Sequence, residues 1–120
     1  MKRLLPVLAI VATLLLMAAP AFAAEGHECD HDGTTIESLH HCVMHAYEMG
    51  HITSAGVANS LLAKLDAAQA ALDRGQPAVA VRLLESFIKE VNVQAGRHID
   101  AEHAPHLVMH AENVMMALGG

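Results

Sequence analysis

Ten histidines stand in a chain of 120 residues, gathered in two places, His27 to His51 and His98 to His110. Imidazole is a good ligand for Zn, Cu and Ni, so the first question is which rings share a face. At the turn angle of an α-helix, His103, His106 and His110 fall within roughly 60° of arc, bordering an apolar stripe. His106 and His110, at i and i+4, have the spacing to chelate one ion, and Glu102 stands beside them to orient or supplement the set. His41, His45 and Glu48 likewise share roughly 60° on the face opposite Ile36, Leu39 and Val43, and so point to solvent. Further donors crowd the stretch before them: His27, Cys29, Asp30, His31 and Asp32. The seven Met of the chain offer thioethers suited to Cu(I) wherever they are exposed.

Each of these features also has a plainer explanation. A solvent-facing His is a tolerated polar residue, one that borders an apolar stripe is commonly packed or hydrogen-bonded, and Met at helical spacing fills cores. No H-E-x-x-H, C-x-x-C or C-x-x-C-H occurs, which excludes a zincin helix, a zinc-ribbon knuckle and attached haem. Cys29 and Cys42 form an even pair, and an oxidising compartment favours their joining. Closing that short loop would be worth about 3 kcal/mol and would pin the His-rich arm to the first helix. The alternative, in which both thiolates join His31, His41 or His45 around a metal, requires that they stay reduced. A set of His titrating near pH 6 also offers acid sensing. Catalysis needs a nucleophile with its base, a pair of tuned carboxylates or a phosphate-cradling loop, and none is arranged with recognisable spacing. Ser38, Ser54, Ser60 and Ser86 fall at helix or cap positions.

The N-terminus places these residues in a compartment. Lys2 and Arg3 precede an apolar run from Leu4 to Met17, and small residues end in Ala21-Phe22-Ala23. A charged head, a hydrophobic middle and an A-x-A site predict a secretory signal peptide over residues 1–23. The run is shorter than the roughly 20 residues of a membrane span, so no stable span is expected in the mature chain. Cleavage would leave a His/Asp-rich flexible arm over 24–33 and one domain over 34–120, in the periplasm or the medium. The whole chain carries 7 basic and 13 acidic residues. Removing Lys2 and Arg3 leaves five bases against the same acids, a net charge of −8 with His neutral. A duplex binder clusters Lys and Arg, and this chain does not, which excludes nucleic acid as a partner. The acidic balance suits cations or simply solubility.

The elements that must position the histidines are all helical. Thr34-Thr35-Ile36-Glu37 has the form of a capping box started by Thr34, and Ile36, Leu39, Val43 and Ala46 recur at spacings of three and four up to Gly50. Thr53 or Ser54 caps a second helix with Val57, Leu61, Leu65, Ala68 and Leu72 on one face, closed by Gly75. Pro77 opens a third with Ala80, Leu84, Phe87, Ile88 and Val91, ending at Gly96. Asp100 is the cap expected for a fourth, with Leu107, Ala111, Val114 and Leu118, although Pro105 moves its effective start toward Ala104. Connections of about two to five residues force antiparallel neighbours. The expected fold is therefore all-α, a small up-down bundle of four short helices, with a core of Ala, Leu and Val in which Phe87 is one of only two mature aromatics, Tyr47 being the other.

The run Ile52-Thr-Ser-Ala-Gly-Val-Ala-Asn-Ser-Leu-Leu-Ala-Lys-Leu-Asp-Ala-Ala, with Leu83-Leu-Glu-Ser-Phe-Ile-Lys-Glu-Val and Ala95-Gly-Arg-His-Ile, resembles the FIMAH domain. That small helical module is appended to secreted bacterial and archaeal hydrolases and surface proteins. The resemblance covers roughly residues 50–118. It implies a helical, extracellular, accessory role and brings no catalytic residue with it. Two features depart from the pattern: no enzyme stands beside the module, and His103, His106 and His110 load the last helix. Two functional classes follow. One is an exported module that binds Zn, Cu or Ni through its His-rich faces. The other is an interaction or adhesion module for a cell-surface or extracellular partner, with no metal role. Two aromatics give sugars little to stack on.

Overall fold

The computed structural model describes residues 29, 30 and 32–119. The expected signal peptide over residues 1–23, His27 and His31 lie outside the described residues. Four helices follow in order: α1 (Ile36–Glu48), α2 (Ala55–Asp73), α3 (Pro77–Gln94) and α4 (Ala104–Ala117). α1 packs on α2, α2 on α3 and α3 on α4, and α4 closes the ring against α1. Among the described residues there is no strand, and the chain is the all-α bundle that its apolar periodicity demands.

The helix stops follow the glycines. Gly50, Gly75 and Gly96 each carry a positive φ, of 86°, 76° and 80°, a conformation an L side chain resists and a helix C-terminus uses. Ser54 caps α2 through the Val57 amide at 3.2 Å. Pro77 sits in the first turn of α3, where its missing N–H has no intrahelical partner to lose.

Three details differ from the sequence expectation. Thr35, not Thr34, caps α1, its hydroxyl accepting from the Ser38 amide at 3.1 Å. The later start puts Ile36 at the first helical position, buried, and places Ser38 rather than Glu37 third after the cap. Burial of Ile36 outweighs the local capping-box pattern. Asp100 does not cap α4 with its carboxylate. Its carbonyl accepts from the His103 and Ala104 amides instead, and the helix begins at Ala104. The connection between α3 and α4, residues 95–103, is also longer than expected, because it makes a tight turn in which the Gly96 amide donates to the Ile99 carbonyl at 2.7 Å.

The core lies along the predicted stripes. Leu39, Val43, Ala46, Leu61, Leu65, Ala68, Leu84, Phe87, Val91, Leu107, Ala111 and Val114 are fully buried. Six of these side chains are Leu or Phe, and at about 25 cal/mol per Å² their burial is the main favourable term. Ile52 and Ile99, one from each loop at the same end of the bundle, pair through an isolated antiparallel bridge and are buried. The Thr53 amide donates to the His98 carbonyl at 2.8 Å and the Asp100 amide to the His51 carbonyl at 2.9 Å. Those bonds hold the two loops edge to edge. Across α2 and α3, Lys64 donates to Glu90 at 2.9 Å and the Ser60 hydroxyl to the same carboxylate oxygen at 2.7 Å. Both ionic groups are largely shielded from water, so each depends on the other.

Candidate metal sites

Three clusters of ligand residues emerge from this scaffold. The first stands where the α1–α2 and α3–α4 loops meet. The bridge between Ile52 and Ile99 sets His51 beside Asp100, and the His51 Nδ1 lies 2.9 Å from the Asp100 carboxylate. A ring that donates its Nδ1–H to a carboxylate presents Nε2 as the ligand atom, an arrangement that recurs around protein-bound metals. The His103 ring lies parallel to that of His51, with centroids 4.4 Å apart, and the His106 ring lies 6.0 Å from His103. With Glu102 and Asp100 these rings line a shallow cleft of about 180 Å³.

His51 and Asp100 were not among the residues that helical spacing singles out, because both lie in loops. The signal that could have found them is their position next to Ile52 and Ile99, two apolar residues buried although each stands in a loop.

His110 does not belong to that cluster. It is fully buried, whereas His106 is exposed. Arc alone is a poor guide: His103 and His110 are seven residues apart, which is about 10 Å of helical rise, too far for one ion. His110 also lies nearer the middle of the stripe formed by Leu107 and Val114 than His106 does, and so it turns inward.

The second cluster is the solvent face of α1. His41 and Glu48 are exposed and His45 is partly so, with the rings of His41 and His45 6.5 Å apart. Met44 shares this face, and Met44, Met49, Met109 and Met116 are all exposed, so thioethers do reach the surface. His40, on the flank of α1, lies 3.3 Å from Asp66 of α2 and is an interhelical contact.

The third cluster surrounds the disulfide. Cys29 and Cys42 are joined, with Cα atoms 5.1 Å apart, which ties the start of the described chain to α1. The Asp32 amide donates to the Asp30 carboxylate and the Gly33 amide to the Asp30 carbonyl, both at 3.1 Å, making a turn that leads into the helix. The Ser38 hydroxyl lies 2.9 Å from the His110 Nε2. Gly33 passes so close that a Cβ there would stand 2.8 Å from the Ser38 Cβ and 3.0 Å from the His110 Nε2. His41 and His45, the partners considered for these sulfurs, lie on the solvent face, and it is His110 that comes to them.

The FIMAH domain model matches residues 36–116, more than half of the chain. The chain belongs to the FIMAH domain family. The match takes in α1, which the resemblance over 50–118 left out. FIMAH domains are non-catalytic accessory modules, and here the residues that carried the resemblance are structural: Leu61 and Leu65 fill the core, Ser60 and Lys64 hold Glu90, and Gly96 and Ile99 shape the loop beside the first cluster. Comparison with curated proteins and comparison with solved structures yield no match. Among the described residues no helix is long and apolar enough to cross a membrane.

Proposed function

We propose that this FIMAH domain is an exported, non-catalytic module that binds one divalent transition-metal ion, Zn(II), Cu(II) or Ni(II), at the end of the bundle where His51, His103 and His106 meet. The observation that carries the reading is the His51 ring held by Asp100 at 2.9 Å with a second imidazole stacked 4.4 Å away. A carboxylate on one ring nitrogen fixes the orientation of the ring and leaves the other nitrogen to act as the ligand. To hold one ion through three imidazoles, the His103 and His106 rings would turn about their side-chain torsions out of the stacked and tilted arrangement they now have, with Glu102 as a further oxygen donor. The two loops that carry these residues are held together by the Ile52–Ile99 bridge and by the backbone hydrogen bonds of Thr53 and Asp100. Export is supported by the charged head, apolar run and A-x-A site of residues 1–23 and by the disulfide, which oxidising compartments favour.

Calorimetric titration of the oxidised protein tests the proposal. One saturable ion of micromolar or tighter affinity is expected, weakened about tenfold or more by His51→Ala and His106→Ala together. It should be little changed by His41→Ala with His45→Ala. Weak, non-saturating uptake indifferent to His51 and His106 would reject it. Family membership favours a second reading, an accessory module that docks on an extracellular partner, in which case the same titration is silent and the partner is found by its retention on immobilised domain.

A further inference from the structure

Among the described residues one group of side chains already brings three ligand atoms within 4.8 Å of one another: the sulfurs of Cys29 and Cys42 and a ring nitrogen of His110. The setting is unusual for a disulfide. His110 is the buried polar side chain among the described residues, in a core otherwise made of Ala, Val, Leu, Ile, Phe and the disulfide-bonded Cys42. A disulfide has no need of an imidazole beside it, and an apolar residue of similar volume would fill the space without the cost of burying a polar ring. Ser38 hydrogen-bonds that ring at 2.9 Å, and Gly33 leaves room for both. An imidazole oriented by a hydroxyl and aimed among two sulfurs is the donor set of a soft-metal site.

We infer that Cys29, Cys42 and His110 form a redox-gated site for a thiophilic d10 ion, Cu(I) or Zn(II), closed when the sulfurs are joined and opened when they are reduced. The inference is independent of the surface histidines. Its chemistry balances with a thiol reductant. A reductant thiolate attacks the sulfur of Cys29, the less buried of the two residues, the S–S bond breaks, and Cys42 leaves as a thiolate beside His110. A second reductant thiolate attacks the reductant sulfur of the mixed disulfide, releasing Cys29 as a thiolate and the reductant as its own disulfide. Two thiolates and a neutral imidazole then bind the ion, and any protons the thiols hold are released to solvent. With Zn(II) the assembly carries no net charge, which suits a buried position, and with Cu(I) the three donors complete a trigonal shell. Oxidation of the two thiolates by a disulfide oxidant reverses the sequence and expels the ion.

The test uses the full chain with His51→Ala and His106→Ala, to silence the surface cluster, in oxidised form and after reduction with a phosphine. Each form is titrated with Zn(II) and with Cu(I) against a chromophoric chelator, and with Co(II) as a spectroscopic stand-in that gives a thiolate-to-metal charge-transfer band. The reduced protein is expected to take up one equivalent that the oxidised protein does not, with helical circular dichroism retained. That equivalent should vanish in the Cys29→Ser, Cys42→Ser protein and weaken about tenfold or more in His110→Gln. Ser38→Ala, which keeps all three donors, should weaken uptake while leaving the charge-transfer band in place. Equal uptake by oxidised and reduced protein would overturn the inference. So would uptake by reduced protein that His110→Gln, still helical, leaves unchanged, or loss of helicity on reduction that the ion does not restore.

Discussion

At the scale of single residues, the account turns on side chains whose partners come from distant parts of the chain. His51 and Asp100 are 49 residues apart, and no spacing rule connects them. If Asp100 orients the His51 ring, Asp100→Asn should weaken metal affinity by about tenfold to a hundredfold while leaving the melting temperature close to that of the parent. Titration and melting of the same variant check both halves of that statement. Gly33 makes the opposite kind of prediction. Its φ is ordinary, and what it supplies is space against Ser38 and His110. Gly33→Ala should lower stability by about 1–3 kcal/mol through overpacking, read from the denaturation midpoint. His110 was legible as a residue of interest because it borders the apolar stripe of α4. Cys29 and Cys42 were legible as a pair too, but that His110 rather than His31, His41 or His45 joins them was not, since burial decides which of two plausible directions a ring on that border takes.

At the scale of elements, periodicity and punctuation carried most of the information. Val57, Leu61, Leu65 and Ala68 on α2 and Ala80, Leu84, Phe87 and Val91 on α3 are buried as their spacing requires, and the left-handed glycines end α1 and α2 where helix ends need them. Where a local motif competed with burial, burial won. Thr34 and Glu37 have the capping-box spacing, yet α1 starts one residue later so that Ile36 enters the core. Replacing Thr35 by Ala should therefore cost about 1 kcal/mol, and replacing Thr34 by Ala much less, a contrast that urea melts of the two variants resolve. The loop between α3 and α4 escaped the sequence reading for the converse reason. Its order comes from pairing with the α1–α2 loop rather than from any local pattern, and that pairing is what builds the first cluster.

At the scale of the whole molecule, a bundle with few aromatics must gain stability from close packing and from its covalent tie. Cys29 and Cys42 are 13 residues apart in sequence, and joining them restricts the unfolded chain. Substituting both by Ser should cost about 3 kcal/mol, measured as a loss in the free energy of unfolding of the oxidised protein. The FIMAH family accounts for the scaffold: its signature residues lie in the core, in the Ser60–Lys64–Glu90 tie and in the Gly96–Ile99 loop. Most of the described histidines lie at one end of that scaffold and along α1, while His110 is buried in its core. The central claim is that the end cluster is where an ion binds, and nuclear magnetic resonance of the imidazole protons during Zn(II) titration of the oxidised protein tests it most directly. The ring signals of His51, His103 and His106 should shift together and saturate at one equivalent, with His41 and His45 following only at higher zinc and His110 unmoved. Saturable shifts confined to His41 and His45, or a gradual drift of all exposed rings without saturation, would contradict it.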